Sequence, residues 1–363
     1  MSTSGPPHVD SLWVLVLAGG RGTRFWPVSR RVRPKQCVSV LGSGRTMIQA
    51  TVDRLQPLVP HERILVLTGP SMADEVRAQL PEVPAENILV EPSPRNTAPC
   101  IGWGAVEVGR RAGGHAVLAV LPADHHIGQP AALRQVLADA ADAARTTNAL
   151  ITLGITPTRP DPGFGYLEIG STMGTWGETS FRMVDRFTEK PDRATAARWL
   201  EDGSHLWNAG MFVFTVDAVR DAFRESLPRS AVALQRLQFD PRLLEEVWPE
   251  LDATSIDYGL MEKSRHILSA PCALGWSDLG SWAAAGGLLP EVDGGRGLAR
   301  TVVSVDAHDC VVRAPDKAVA LVGVRDLVVV DTDDALLVMH RDRAQDLRTV
   351  LARLEADGAS ELT

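Results

Sequence analysis

Apolar runs of strand length recur from residue 12 to about 153, each followed by a stretch with helical periodicity. LWVLVLA at 12–18, RILVLT at 63–68, residues 87–90, AVLAVL at 116–121 and residues 149–153 carry almost no polar alternation. Such strands need cover on both faces, the condition met in a doubly wound sheet with helices packed above and below. Amphipathic segments at about 46–59, 71–80, 96–112 and 130–145 supply that cover. The expected class is therefore α/β, with a doubly wound sheet.

From 156 to 290 the pattern loosens. Gly/Pro-rich loops are read at 157–165 and 170–177, strands near 181–188 and 207–215, and helices near 193–202, 217–226 and 256–263. This stretch should continue the same sheet and wall its edge, completing one domain over 1–290. Past Gly294-Gly295-Arg296-Gly297 the texture becomes short β runs: TVVSV, CVVRA, AVALVG, DLVVVDT and ALLVMH. With a helical stretch at about 342–355 they form a small C-terminal module, 296–363.

Charge narrows the function. The 363-residue chain has a net charge of −8, which speaks against a general nucleic-acid binder. Its four cysteines, Cys37, Cys100, Cys272 and Cys310, contain no CxxC pair, so neither a zinc site nor a disulfide framework is expected. The start MSTSGPPHVD lacks a basic region, and the apolar run after it is too short for a signal or membrane span. A cytoplasmic protein with no membrane partner is the expectation.

Against that acidic background, residues 17–36 read LAGGRGTRFWPVSRRVRPKQ. Arg21, Arg24, Arg30, Arg31, Arg33 and Lys35 gather there, and no carboxylate occurs from Gly19 to Val52. In doubly wound sheets ligands sit at the carboxyl ends of the strands. Gly19, Gly20 and Gly22 let backbone amides approach an anion, and the cations add charge-assisted contacts. The loop lacks the lysine of a P-loop, and Phe25 stands where a dinucleotide fingerprint needs its third glycine.

GGRGTRFWPVSRRVRPKQ resembles the signature of the sugar-1-phosphate nucleotidylyltransferases, and most closely that of their mannose-1-phosphate guanylyltransferase branch. The resemblance implies a Rossmann-like nucleotidyltransferase fold with a mixed sheet and a β-helix-like C-terminal module. It also implies Mg²⁺ as cofactor, with GTP, mannose 1-phosphate and GDP-mannose as ligands. Leu17, Ala18, Gly19, Gly20, Gly22 and Thr23 would wrap the nucleotide, Arg24 would hold the departing pyrophosphate, and Lys35 would lie by the reacting phosphates.

Other motifs follow in the family's order, from Leu17 to Trp282. LPADHHI ends a strand with Asp124, by itself a turn former or cap, which the resemblance makes a metal ligand at the nucleotide. His125 and His126 are read as loop residues, since Mg²⁺ prefers oxygen. GWSDLGSW offers Asp278 as the second metal ligand; alternatively Ser277 or Asp278 caps a helix. FTEKP carries Glu189, matched to sugar hydroxyls, and Lys190, matched to the sugar phosphate. WNAGMFVF places Asn208, whose amide both donates and accepts, at the mouth of a strand, and Gly165 lies in a similar sugar-side loop. Asn96 or Thr97 should cap the helix to about 112, near the base, while Asp257 could face the sugar.

Departures are small: Phe25 and Val28 where the branch often has Leu, Cys37 after PKQ, and Thr188 for Val. The length leaves no room for the second, isomerase domain of some relatives, so a single activity is expected, with the C-terminal module mediating a homodimer. Two alternatives stay open: a nucleotidylyltransferase with another NTP or sugar, and a catalytically silent GDP-mannose-binding paralogue.

Overall fold

The computed structural model describes residues 11–20 and 22–363, so Arg21 of the cationic loop lies outside the described residues. The first four apolar runs are β1 (Leu12–Ala18), β2 (Ile64–Thr68), β3 (Ile88–Val90) and β4 (Val117–Pro122). They run parallel, with β1 between β2 and β4. Their carboxyl ends therefore open onto one edge of the sheet. α1 (Met47–Asp53), α2 (Ala73–Gln79) and α3 (Thr97–Ala112) provide the cover. α1 ends well short of residue 59, because Pro57 has no N–H to continue a helix.

β5 (His126–Ile127) is a short strand where a loop was expected, and α4 (Pro130–Thr147), β6 (Leu150–Ile155), β7 (Gly165–Trp176) and β8 (Thr179–Glu189) follow. The supposed loop at 170–177 is thus mostly the outer half of β7. Next come α5 (Arg193–Asp202), β9 (His205–Thr215), α6 (Val216–Ser226), α7 (Pro228–Phe239), α8 (Leu244–Val247) and β10 (Ile267–Pro271). β11 (Trp276–Ser277) pairs with β5, and α9 (Trp282–Gly286) closes this half. Residues 257–261 form a single π-helical turn rather than the longer helix expected at 256–263.

The large sheet has nine strands in the order β3-β2-β1-β4-β9-β6-β10-β8-β7. β9 lies antiparallel between β4 and β6, which makes the sheet mixed. Side chains alternate in burial across it as the pleat requires. Val14 and Val16 join Ile48 and Leu137 on one face, while Leu15 joins Ile101 and Trp248 on the other.

The remaining strands are β12 (Glu291–Val292), β13 (Gly295–Val305), β14 (Cys310–Val322), β15 (Leu327–Asp331) and β16 (Leu336–His340), followed by α10 (Leu347–Ala356). CVVRA and AVALVG belong to one strand, β14, with an irregularity between them that shifts its register on β13. β13, β14 and β15 are parallel, and β16 returns antiparallel. This sheet does not stand apart. Phe25 and Trp26 of the cationic loop share a core with Trp282, Val311, Val330 and Leu347. The Trp282 indole N–H donates to the Trp26 carbonyl at 3.0 Å, and the Phe25 and Trp282 rings meet edge to face at 4.9 Å.

Candidate active site

The loop after β1 is closed by its own polar groups. Gln36 Nε2 donates to the carbonyls of Ala18 at 3.1 Å and Gly20 at 3.3 Å, and Ser29 Oγ donates to Gly22 O at 2.8 Å. Gly22 has φ +55°, and a Cβ there would stand 2.4 Å from Lys35 Cβ. Only glycine allows this approach. The result is a cavity of about 670 Å³ at the carboxyl edge of the sheet, lined by Gly19, Gly20, Gly22, Thr23, Arg24, Lys35, Asp124 and Asp278. Eight of the residues matched to the nucleotide, the metal or catalysis thus converge on one space.

Lys35 is its electrostatic centre. With only 6% of its side chain exposed, it donates from Nζ to Asp124 Oδ2 at 2.9 Å and to the Asp278 carbonyl at 2.7 Å. Burial alone would raise the Asp124 carboxyl, but the Lys35 ammonium, with His125, holds it below the ordinary aspartate value. Asp278 does not cap a helix: its Oδ1 accepts from Gly280 N at 3.2 Å, and α9 is capped by Ser281, which accepts from Ala284 N. Ser277 instead accepts from Leu279 N. Among the described residues, no three His, Cys, Asp or Glu side chains could hold a metal between them. Two aspartates on separate segments meet at one ammonium, Asp124 through its carboxylate and Asp278 through its backbone carbonyl, and Mg²⁺ is held by one or two carboxylates with phosphate oxygens and water. Asp124 and Asp278 fit that pattern, and His125 is otherwise engaged, accepting from Trp276 Nε1 at 3.1 Å.

A second polar cluster lies further along the same edge. Gly165 and Glu189 are register partners, and a Cβ on Gly165 would stand 2.6 Å from Glu189 Oε2. Glu189 is not half of a solvated pair: 9% of its side chain is exposed against 56% for Lys190, whose Nζ donates to Glu189 Oε1 at 2.5 Å. Burial lowers the Lys190 ammonium, but the Glu189 hydrogen bond and charge outweigh it and raise the group overall. Asn208 Oδ1 accepts from Thr152 Oγ1 at 2.8 Å and Gly210 N at 3.1 Å, while its Nδ2 donates to Asp257 Oδ1 at 2.9 Å. Burial, with the Glu189 charge, pushes the Asp257 carboxyl up to about 6. Phe164 packs against Trp207 and Trp276, and Trp276 reaches His125 beside Asp124, so an aromatic wall joins the two clusters.

Some expected residues lie outside the cavity lining. Leu17 and Ala18 end β1, where Ala18 is fully buried and contributes its carbonyl to Gln36. Asn96 caps α3 by accepting from Thr97 N at 2.9 Å, and Thr97 Oγ1 accepts from Ile256 N. Both stand at the same sheet edge but not in this cavity. Conversely, Arg348 and Leu351 of α10 line the cavity. Nothing in local sequence pattern marks a terminal helix as part of a site built mostly upstream of residue 290.

A glycine turn, a buried lysine and two aspartates share a cavity at the sheet edge, with a second polar cluster further along it, the layout of an enzyme of nucleotidyl transfer. Comparison with known proteins agrees. The family described as nucleotidyl transferase matches residues 13–286, and the mannoseP isomerase/GMP-like beta-helix domain matches 300–354. The xanthan biosynthesis protein XanB of Xanthomonas campestris pv. campestris (strain B100) is 37% identical over 358 residues, 96% of this chain and 74% of that protein. The mannose-1-phosphate guanylyltransferase of Escherichia coli is 32% identical over 357 residues, with the same coverage. A solved structure from Thermus thermophilus, described as "mannose-1-phosphate geranyltransferase", superposes with a TM-score of 0.85 at 36% identity, covering 95% of this chain and 99% of its own. The chain belongs to the nucleotidyl transferase family and, within it, to the mannose-1-phosphate guanylyltransferases.

Proposed function

We propose that this chain transfers GMP from GTP to α-D-mannose 1-phosphate, yielding GDP-mannose and pyrophosphate. The observation that carries the reading is the Lys35 ammonium set between the Asp124 carboxylate and the Asp278 carbonyl, in the cavity that the glycine turn also lines. A phosphate oxygen of the sugar phosphate attacks the α-phosphorus, the bond to the β-phosphate bridging oxygen breaks, and pyrophosphate leaves in line. The attacking group is already an anion, so no general base is needed; catalysis rests on positioning and electrostatic stabilisation. Lys35 stands where charge builds at the α-phosphate, and the Gly19–Gly22 turn with Thr23 offers backbone amides. Arg24, whose guanidinium is exposed to the cavity, meets the departing pyrophosphate. Asp124 and Asp278 would hold Mg²⁺, which neutralises phosphate charge and orients the leaving oxygens when bound. Lys190 takes the sugar phosphate, while Glu189 and Asn208 address hydroxyls close to the Gly165 backbone.

Pyrophosphate release should be measured with GTP, ATP, UTP, dTTP and CTP, each against mannose 1-phosphate and glucose 1-phosphate, with and without Mg²⁺. Release that is fastest with GTP and mannose 1-phosphate, needs the metal, and falls at least a hundredfold in Asp278→Asn supports the proposal. Preference for another pair, or wild-type binding of GDP-mannose with no release, overturns it.

A further inference from the structure

The cavity has a wall that the nucleotidyl transfer fold does not supply. One side of it is built by α10, through Arg348, Leu351, Ala352 and Glu355. This helix is fixed rather than loosely laid on. Leu347, 2% exposed, belongs to the core formed by Phe25, Trp26 and Trp282, with Leu351 and Leu354 packed against it. Beyond the helix, the Leu362 carbonyl accepts from Trp26 Nε1 at 2.7 Å, and the Thr363 carbonyl accepts from Arg31 N at 2.8 Å. Phe25 and Trp26, which help anchor α10, directly follow Arg24 in the chain.

Among the described residues five cations line this space: Arg24, Arg30, Arg31, Lys35 and Arg348. Three already face carboxylates, Arg30 with Asp334 at 2.8 Å, Arg31 with Glu355 at 4.0 Å and Lys35 with Asp124 at 2.9 Å. Among the described residues, Arg24 and Arg348 make no ion pair, and both are exposed and line the same cavity from segments that pack against each other. Two unpaired guanidinium groups on adjoining segments match an anion carrying several charges, and guanidinium suits phosphate oxygens because its fork donates to two at once.

We infer that Arg348, delivered by the C-terminal helix, is a second guanidinium grip on the β- and γ-phosphates of the nucleotide and on the pyrophosphate that leaves. The C-terminal module then completes the phosphate end of the site. The inference rests on the proposed nucleotidyl transfer, but not on the identity of the base or the sugar.

The test uses the full chain with Arg348→Ala, Arg348→Lys and Arg353→Ala, the last an exposed cation of the same helix outside the cavity lining. Steady-state kinetics are run in both directions, with inorganic pyrophosphate as the varied substrate in reverse. Arg348→Ala should raise KM for GTP and for pyrophosphate about tenfold, or by more, a loss comparable to one charge-assisted contact. KM for mannose 1-phosphate and GDP-mannose should hold within twofold, Arg348→Lys should recover part of the loss, and Arg353→Ala should match wild type. Unchanged pyrophosphate KM in Arg348→Ala, or equal rises for all four ligands, overturns the inference. A wild-type chain that releases no pyrophosphate with any NTP and sugar phosphate would instead sink the functional proposal, so the two failures are distinct.

Discussion

The proposed phosphate end and the proposed sugar end of this site are built on opposite principles. At the phosphate end a glycine turn, a buried lysine and two exposed arginines face open space, and the strongest internal pairing is one ammonium shared by Asp124 and the Asp278 carbonyl. At the sugar end nearly every polar group has a protein partner already: Lys190 with Glu189, and Asn208 with Thr152, Gly210 and Asp257. A phosphate brings charge enough to order free cations around itself. A sugar brings only hydroxyls, each worth about one hydrogen bond, so its partners must be held in place beforehand. The first end relies on field, the second on preorganisation.

Replacing Lys35 attacks the first principle where it is most concentrated. Lys35→Met keeps the length of the stem but leaves the Asp124 carboxylate without its cation in a crowded site. Turnover should fall by about a hundredfold to a thousandfold, as when a preorganised charge-stabilising group is lost. Thermal stability should drop as well, because breaking one partner of a buried pair costs about 3–5 kcal/mol at most, less here because Asp124 retains 38% of its side-chain surface. Added Mg²⁺ should recover more stability in the variant than in wild type. Equal recovery in both would show that Asp124 does not rely on Lys35.

Glycine substitutions sharpen the contrast. Gly22→Ala forces φ +55° on a side chain and drives its Cβ into the backbone nitrogen of Lys35 at 2.8 Å. It should destabilise by about 1–3 kcal/mol and raise KM for both GTP and mannose 1-phosphate by deforming the whole loop. Gly165→Ala meets Glu189 Oε2, the far end of a side chain, and Asn208 Cβ at 3.3 Å. Its effect should be confined to the sugar: KM for mannose 1-phosphate about tenfold higher, equivalent to about 1.4 kcal/mol, with GTP unaffected. Urea unfolding and two-substrate kinetics separate the cases.

How far each region can be read from sequence follows the same divide. The phosphate end sits on β1 and β4, whose seven- and six-residue apolar stretches announce buried strands, and most of its cations are gathered in the loop after β1. Strand direction is not written there. The apolar MFVFT end of β9 looks the same whichever way it runs, so its antiparallel insertion between β4 and β6 is invisible to periodicity. β7 hides for another reason: in GYLEIGSTMGTW the residues after Ile169 are mostly small or polar and largely face solvent, which reads as loop. α7, absent from the expected elements, has a weakly amphipathic pattern behind Pro228 and is recognisable only by what it covers. Arg348 could not be found locally at all, because its place depends on Trp26 and Leu362 meeting across 336 residues of chain.

Asp257 carries the mildest prediction and probes the preorganised end most directly. Its carboxyl would titrate near 3.9 in the unfolded chain, whereas burial and the Glu189 charge place it at about 6 in the fold. Between those values the folded protein holds a proton that the unfolded chain has released. Stability contributed by the protonated group is therefore fully present below about pH 4 and is lost as pH rises toward 6, by an amount on the order of 2–3 kcal/mol. Asp257→Asn keeps an oxygen to accept from Asn208 Nδ2 but cannot ionise. In urea unfolding from pH 4 to 7 it should lose this part of the downward slope and be the more stable protein at pH 7. A carboxylate kept in so unfavourable a place is the mark of a functional group, so the same variant should bind mannose 1-phosphate more weakly while its KM for GTP is unchanged. Parallel slopes for wild type and variant would mean that Asp257 is already ionised at pH 4, and that the sugar end, like the phosphate end, is held by charge.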